Sequence, residues 1–301
     1  MTKDYFINKV LPTTVVGSYP VVKGSGLRSL FDPLHTAVET AVADQIRAGI
    51  DIISDGQVRG DMIQVFASKL PGIKGQEVIG QVQPAAGPIT VGDTKYALTK
   101  APKVKGIITG PTTLAHGLHI SSPIYRNKEE LALDLAAALV PEAKALEAAG
   151  ITLLQIDEPM FSTGMSDLET GKQAIGLIMA ALHVPICLHI CGNLGNVIDE
   201  ILKFNVNVFD FEFANNHVNL DLLSRRDLAG RMIGYGCVDS ALETVESIAE
   251  IRKRIEQGIE IFDPRIILLD PDCGMRMRSR EAAYHKLKNL AAAAKEVRLA
   301  L

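Results

Sequence analysis

An imidazole and a thiol stand two residues apart at His189 and Cys191, followed by a carboxylate at Glu212 and a second thiol at Cys273. On an extended segment, residues i and i+2 project to the same side, so His189 and Cys191 can reach a single ion. Nitrogen, sulfur and oxygen donors in this mix suit tetrahedral Zn²⁺, and thiolates favour zinc over magnesium or calcium. The competing reading is that the cysteines are small buried hydrophobes, the ordinary fate of an unpaired thiol. Cys187 and Cys237 fit that reading: Cys187 lies one layer deeper in phase with His189, and Cys237 follows Gly236 near the end of a β-rich run, where it could also face the site.

Other reactive side chains gather at similar places. Asp157-Glu158-Pro159 ends a β-rich run, and the proline holds the preceding residue extended, which can aim a carboxylate outward. Val16-Gly17-Ser18 offers backbone N–H groups and a hydroxyl where a carboxylate could bind. Asp55, Gln57, Asp239 and Asp272 occupy further run ends, and each could equally be an ordinary turn or capping residue. His116 and His119 follow the third run and could touch a substrate, whereas His35, His183, His217 and His285 read as surface or packing residues. Arg276 and Arg278 face either solvent or an anion.

Positioning these groups requires a scaffold that brings many strand ends to one rim. Eight β-rich runs are expected at 13–17, 51–55, 104–109, 152–157, 186–190, 208–213, 231–237 and 265–270. Helical patterns fall between them at 36–48, 128–149, 167–182, 194–203, 219–227, 241–257 and 280–298, the second stopping at Gly150. Strand followed by helix, repeated over the whole chain, predicts a single-domain (β/α)8 TIM barrel, whose catalytic residues sit at the C-terminal strand ends. An open doubly wound sheet is the runner-up, but no G-x-G-x-x-G follows the first run. Residues 71–103 break the rhythm with alternating polar and apolar residues between Gly and Pro, which predicts an inserted β-hairpin after the second βα unit.

Composition narrows the classes. In 301 residues, 31 Lys and Arg against 35 Asp and Glu leave a net charge of −4 with no basic block, which argues against a nucleic-acid partner. A hydrophobic share of 47% supports a large core and argues against disorder. No apolar run approaches the roughly 18–20 residues of a membrane span, and the start, Met-Thr-Lys-Asp-Tyr-Phe, lacks a signal-peptide pattern. The expectation is a cytoplasmic globular protein without disulfides.

Taken in order, GSYP (17–20), SDGQVRGDM (54–62), GPTTL (110–114), LQIDEP (154–159), LHICGN (188–193), FDFEF (209–213) and DPDCGM (270–275) form a specific set. They resemble the catalytic C-terminal barrel of the cobalamin-independent methionine synthase family over nearly the whole chain. The resemblance implies a (β/α)8 barrel with one zinc ion per chain that transfers a methyl group to the sulfur of homocysteine. The family's zinc ligands fall on His189, Cys191, Glu212 and Cys273. Its homocysteine carboxylate and backbone contacts fall on Val16, Gly17 and Ser18, and its amine contacts on Asp157 and Gln57, the latter normally a glutamate.

Several departures concern the methyl donor. The family's additional N-terminal barrel is not expected here, the chain beginning at the catalytic barrel. The tryptophan that stacks on the pterin falls near His116 or Gly117, and this chain has no tryptophan at all. The pterin-gripping glutamate is replaced by Thr163, and the histidine that protonates the leaving folate nitrogen corresponds to Ala241. The pattern resembles the short core type of the family, for which methylcobalamin or a methylated corrinoid carrier protein is the implied donor. Two alternatives stay open: a methyl-tetrahydropterin donor, or alkyl transfer to another thiol such as coenzyme M.

Overall fold

The computed structural model describes residues 8–24 and 31–301. Its centre is a parallel sheet of six strands in the order β3 (Lys105–Thr109), β5 (Leu153–Asp157), β6 (Ile186–Ile190), β7 (Val208–Glu212), β8 (Met232–Val238) and β9 (Ile267–Pro271). Every neighbouring pair in that order is parallel.

The two expected first strands are present only as single parallel bridges, Thr13 to Leu269 and Ile53 to Val104. They close the ring nonetheless. Leu269 N donates to the Pro12 carbonyl at 2.8 Å and Thr14 N to the Leu269 carbonyl at 2.7 Å. Ile52 N donates to the Thr13 carbonyl at 3.0 Å, and Lys105 N to the Ile53 carbonyl at 2.9 Å. The ladders stay short because side chains take over backbone groups: Asp51 accepts from Thr13 N at 2.9 Å and from its hydroxyl at 3.1 Å. The result is an eight-membered parallel ring, the α/β barrel the strand–helix alternation predicts.

Helices cover the outside in sequence order: α1 (His35–Ala48), α2 (Met62–Ala67), α3 (Val91–Leu98), α4 (Pro111–His116), α5 (Lys128–Ala149), α6 (Leu168–Met179), α7 (Ile198–Ile201), α8 (Val218–Leu223), α9 (Ile248–Ile259) and α10 (Arg280–Ala300). Helix α5 begins at Asn127, whose side chain accepts from Glu130 N, and ends at Gly150 with φ 97°. Helix α9 opens with a Ser247/Glu250 capping box. Helix α10 packs back against α1, joining the two ends of the chain. Among the described residues no helix is long and apolar enough to cross a membrane.

The segment 71–103 departs from the expected hairpin. Only β1 (Ile73–Lys74) and β2 (Glu77–Val78) form one, and β2 also pairs in parallel with β4 (His119–Ile120). Residues 91–98 are helix α3 instead, burying Val91, Thr94 and Ala97 at a three-residue spacing that the neighbouring Pro88 and Gly92 obscure in the sequence. Glu142 of α5 pins the approach to α3, accepting from Ile89 N, Thr90 N and the Thr90 hydroxyl, each at 2.7 Å.

Inside the ring the chemistry changes with height. Ile52, Leu153, Cys187, Val208, Met232 and Leu268 form an apolar cluster of their own, separate from the main core between strands and helices. Two residues further along the same strands stand Gln155, His189, Asp210 and Asp270, all buried. Alternation places them on the same side as the apolar cluster but nearer the C-terminal rim.

Candidate metal and substrate site

Strand β6 delivers His189 and, just past its end, Cys191; the loop after β9 delivers Cys273. Ligand atoms of these three residues all lie within 4.8 Å of one another. Both ring nitrogens of His189 are buried. With Asp210 3.4 Å from Nδ1, it is Nε2 that is left without a partner, and a buried group orphaned in this way is costly unless a metal takes it. The donor set therefore fits zinc.

The fourth expected ligand stands apart. Glu212 ends β7, but its carboxylate accepts from Asn216 Nδ2 at 2.5 Å, and it is not among the three convergent donors. Sequence spacing places Glu212 at the end of β7; its hydrogen bond with Asn216 is not revealed by the strand pattern.

Below the cluster, Asp210 pairs in register with His189 across β6 and β7, with Oδ1 3.4 Å from Nδ1. Burial opposes the imidazolium, but Asp210 outweighs it and raises the His189 pKa well above its ordinary value. Strand β8 makes room: a Cβ on Gly234, the register partner of Asp210, would lie 2.7 Å from the Asp210 Cβ and Cγ. Asp270 lies alongside, its carboxyl pushed up by burial and then by Asp210. The Cys273 thiol is pushed up by its hydrogen bond with Cys191 and by burial, so a metal would have to displace its proton.

A cavity of about 660 Å³ opens from the cluster. Ser18, Gln57 and Asp157 line it together with His189, Cys191 and Cys273, and its wall also includes Met62, Phe66 and Ile89. Asp157 is buried, and that burial raises its pKa. Gln155 Nε2 donates to its Oδ1 at 2.7 Å and to the Val16 carbonyl at 2.6 Å. The segment 16–18 runs against the Cys273 loop: Met275 N donates to the Ser18 carbonyl at 2.8 Å, and a Cβ on Gly274 would sit 2.0 Å from the Ser18 Oγ. Gly17 lies against Gln57, where a Cβ would be 2.6 Å from Oε1. Gln57 itself has φ 44°, a strained conformation for a side-chain-bearing residue. It is held there by Asp55, which accepts from Gln57 N at 2.8 Å, and by Arg276, whose Nη1 donates to the Gln57 carbonyl at 2.8 Å.

The remaining strand-end candidates do other work. Glu158 is not among the cavity-lining residues and caps α4, accepting from Thr112 N at 2.9 Å, Thr113 N at 2.8 Å and the Thr113 hydroxyl at 2.7 Å. Burial lifts its pKa to about 7. Asp272 braces the β7 loop by accepting from Phe213 N and Ala214 N at 2.9 Å and Asn215 N at 2.7 Å. Asp239 closes a turn onto Ala241 N and Leu242 N. Asp55, lifted to about 6 by burial, is on the cavity wall but spends one oxygen on the Gln57 turn. His116 and His119 are not among the cavity-lining residues; the former contacts the Ser166 hydroxyl at 3.4 Å and the latter sits exposed on β4. Cys187 and Cys237 are fully buried packing residues. Strand-end reading does not single out Asp210, Gln155 or Lys105, whereas Arg276, read from the sequence as facing solvent or an anion, lines the cavity. The first two were available as the residues two before Glu212 and Asp157.

Comparison with known proteins agrees with this geometry. Residues 11–296 match the family described as cobalamin-independent synthase, catalytic domain. The chain is 42% identical to a methionine synthase of Methanocaldococcus jannaschii, covering 95% of this chain and 99% of that protein. It is 43% identical to a methionine synthase of Methanothermobacter marburgensis, covering 94% and 99% respectively. Among solved structures it superposes with a TM-score of 0.87 on a B12-independent methionine synthase from Shewanella sp. W3-18-1 in complex with selenomethionine. That match has 27% identity and covers 97% of this chain and 100% of the other.

Proposed function

Given that this chain belongs to the cobalamin-independent methionine synthase catalytic family and is a homocysteine methyltransferase, we propose how its barrel mouth does the work. His189, Cys191 and Cys273 would hold one zinc ion, with Glu212 at the end of β7 as the proposed fourth ligand. The observation that carries this is the convergence of one imidazole and two thiols within 4.8 Å beside a cavity lined by Asp157 and Ser18. When bound, zinc keeps the homocysteine sulfur as a thiolate at neutral pH, where a free thiol with pKa near about 8.5 is mostly protonated.

The protein's own residues orient the substrate. Asp157 receives the amine, with Gln57 adding an uncharged acceptor. Val16, Gly17 and Ser18 hold the carboxylate through backbone and hydroxyl. With the amino-acid head fixed at one end of the cavity and the thiol at the other, the sulfur is presented for in-line attack on a methyl group. Such orientation supplies much of the rate gain in bimolecular transfers. The Shewanella relative holds selenomethionine, a methionine analogue, in the same fold, which supports an amino-acid thioether as the product here. Asp157 and Ser18 on the cavity wall also favour an amino-acid thiol over coenzyme M.

For the donor, a methylated corrinoid, free or on a carrier protein, is the reading supported by the residues that stand where the family grips a folate. Thr163 Oγ1 is spent on the Met160 carbonyl at 2.7 Å, and Ala241 offers no proton to a leaving amine. A methyl–cobalt bond needs no such proton. The test supplies homocysteine with either methylcobalamin or methyltetrahydrofolate and measures methionine. Methionine from methylcobalamin is expected, and methionine from the folate alone would overturn the corrinoid reading.

A further inference from the structure

Beneath the amino-acid end of the site lies a line of buried polar groups that the reading above leaves unused. Lys105 opens β3 at 1% exposure, and its Nζ donates to Gln155 Oε1 at 2.5 Å. Gln155, fully buried on β5, sends Nε2 to the Val16 carbonyl at 2.6 Å and to Asp157 Oδ1 at 2.7 Å. Barrel interiors are ordinarily filled by branched apolar side chains, and a buried ammonium or amide is costly unless every group is paired.

The pairing has a direction. An ammonium only donates, so Lys105 compels the amide oxygen of Gln155 to face it. The NH₂ group must then face the substrate side, where its two hydrogens reach two acceptors. One is the carboxylate placed at the amine; the other is the backbone carbonyl of the segment placed at the carboxylate. With Oδ1 engaged from below, Asp157 keeps Oδ2 for a ligand in the cavity it lines.

We infer that Lys105 and Gln155 form a positioning pair that makes the site select thiols bearing an α-amino group. Lys105 sets the amide, and the amide sets the rotation of Asp157 and its distance from Val16. The inference rests on the proposal that Asp157 receives the homocysteine amine.

The test uses the zinc-loaded full chain and calorimetric titration, which needs no methyl donor. The probes are L-homocysteine and 4-mercaptobutyrate, the same molecule without its amino group. The variants are Lys105→Met, Gln155→Glu (same shape, no N–H donors), Gln155→Leu, the Lys105→Met/Gln155→Leu double, and Asp157→Asn. Lys105→Met and Gln155→Glu are each expected to lower the preference for homocysteine over 4-mercaptobutyrate about tenfold, the scale of one charge-assisted hydrogen bond, with zinc content unchanged. The double variant is expected to fall no further than Gln155→Leu alone, since both act through one amide. Equal weakening of both ligands, an unchanged preference, or multiplicative losses in the double would overturn the pair. If Asp157→Asn itself leaves the preference intact, the amine assignment of Asp157 has failed and the pair falls with it. If only the Lys105 and Gln155 variants leave it intact, the pair alone is wrong.

Discussion

Asp210 illustrates how a single buried carboxylate can tune a site it does not enter. It faces Nδ1 of His189 at 3.4 Å, an arrangement that would leave the other ring nitrogen for a metal. Outer carboxylates of this kind typically contribute ten- to a hundredfold, on the order of their measured effects elsewhere, to metal affinity. Asp210→Ala is therefore expected to weaken zinc binding by roughly that factor in a chelator competition, and Asp210→Asn, which keeps an acceptor oxygen, by less. Unchanged affinity in both would remove Asp210 from the account. Glu158 makes a different case, because burial lifts its pKa to about 7, against 4.5 for an ordinary glutamate. A carboxyl raised on folding adds stability that is complete below the unfolded pKa and is lost as pH rises through the folded one. Its contribution should thus decline between about pH 4.5 and 7, and Glu158→Gln should flatten that part of the stability–pH curve. Denaturant melts of both proteins across this range check it; parallel curves would contradict the assignment.

At the scale of elements, the strand ends and their loops decide what the site can be. The junction of β3 and α4 shows how tightly they fit: a Cβ on Gly110 would lie 2.2 Å from the Glu158 Cδ. Gly110→Ala should cost about 1–3 kcal/mol in unfolding free energy and tilt α4, measurable by denaturant titration; an unaffected midpoint would show that the cap is slack. The same elements show what a sequence can and cannot convey. His189, Cys191 and Cys273 were legible because their chemistry lies in residue type and strand-end position. Asp157 was legible through the proline two residues later. Asp210, Gln155 and Lys105 were not, since a charged or amide side chain inside a barrel contradicts the apolar interior that strand patterns presume. The Glu212 carboxylate bonds to Asn216, four residues on and outside the strand, a contact that strand spacing does not convey. Pro88 and Gly92 break up the helical spacing of residues 91–98, and the first strand is a single bridge where Asp51 accepts from Thr13 N, the second a single bridge where Gln45 accepts from Ser54 N.

For the molecule as a whole, the barrel separates stability from chemistry. The main core packs strands against helices and includes none of the convergent metal donors, while the reactive groups sit at one rim above an apolar floor. Removing zinc should therefore leave the far-ultraviolet dichroism of the barrel intact and lower its melting temperature only by the linkage due to a lost ligand. The most direct test of the central claim combines zinc content with methionine formation from homocysteine in the intact chain and in Cys273→Ser. One zinc per chain with activity, and the loss of both in the variant while the dichroism persists, is the predicted result. A Cys273→Ser protein that keeps stoichiometric zinc and full methionine formation would contradict it.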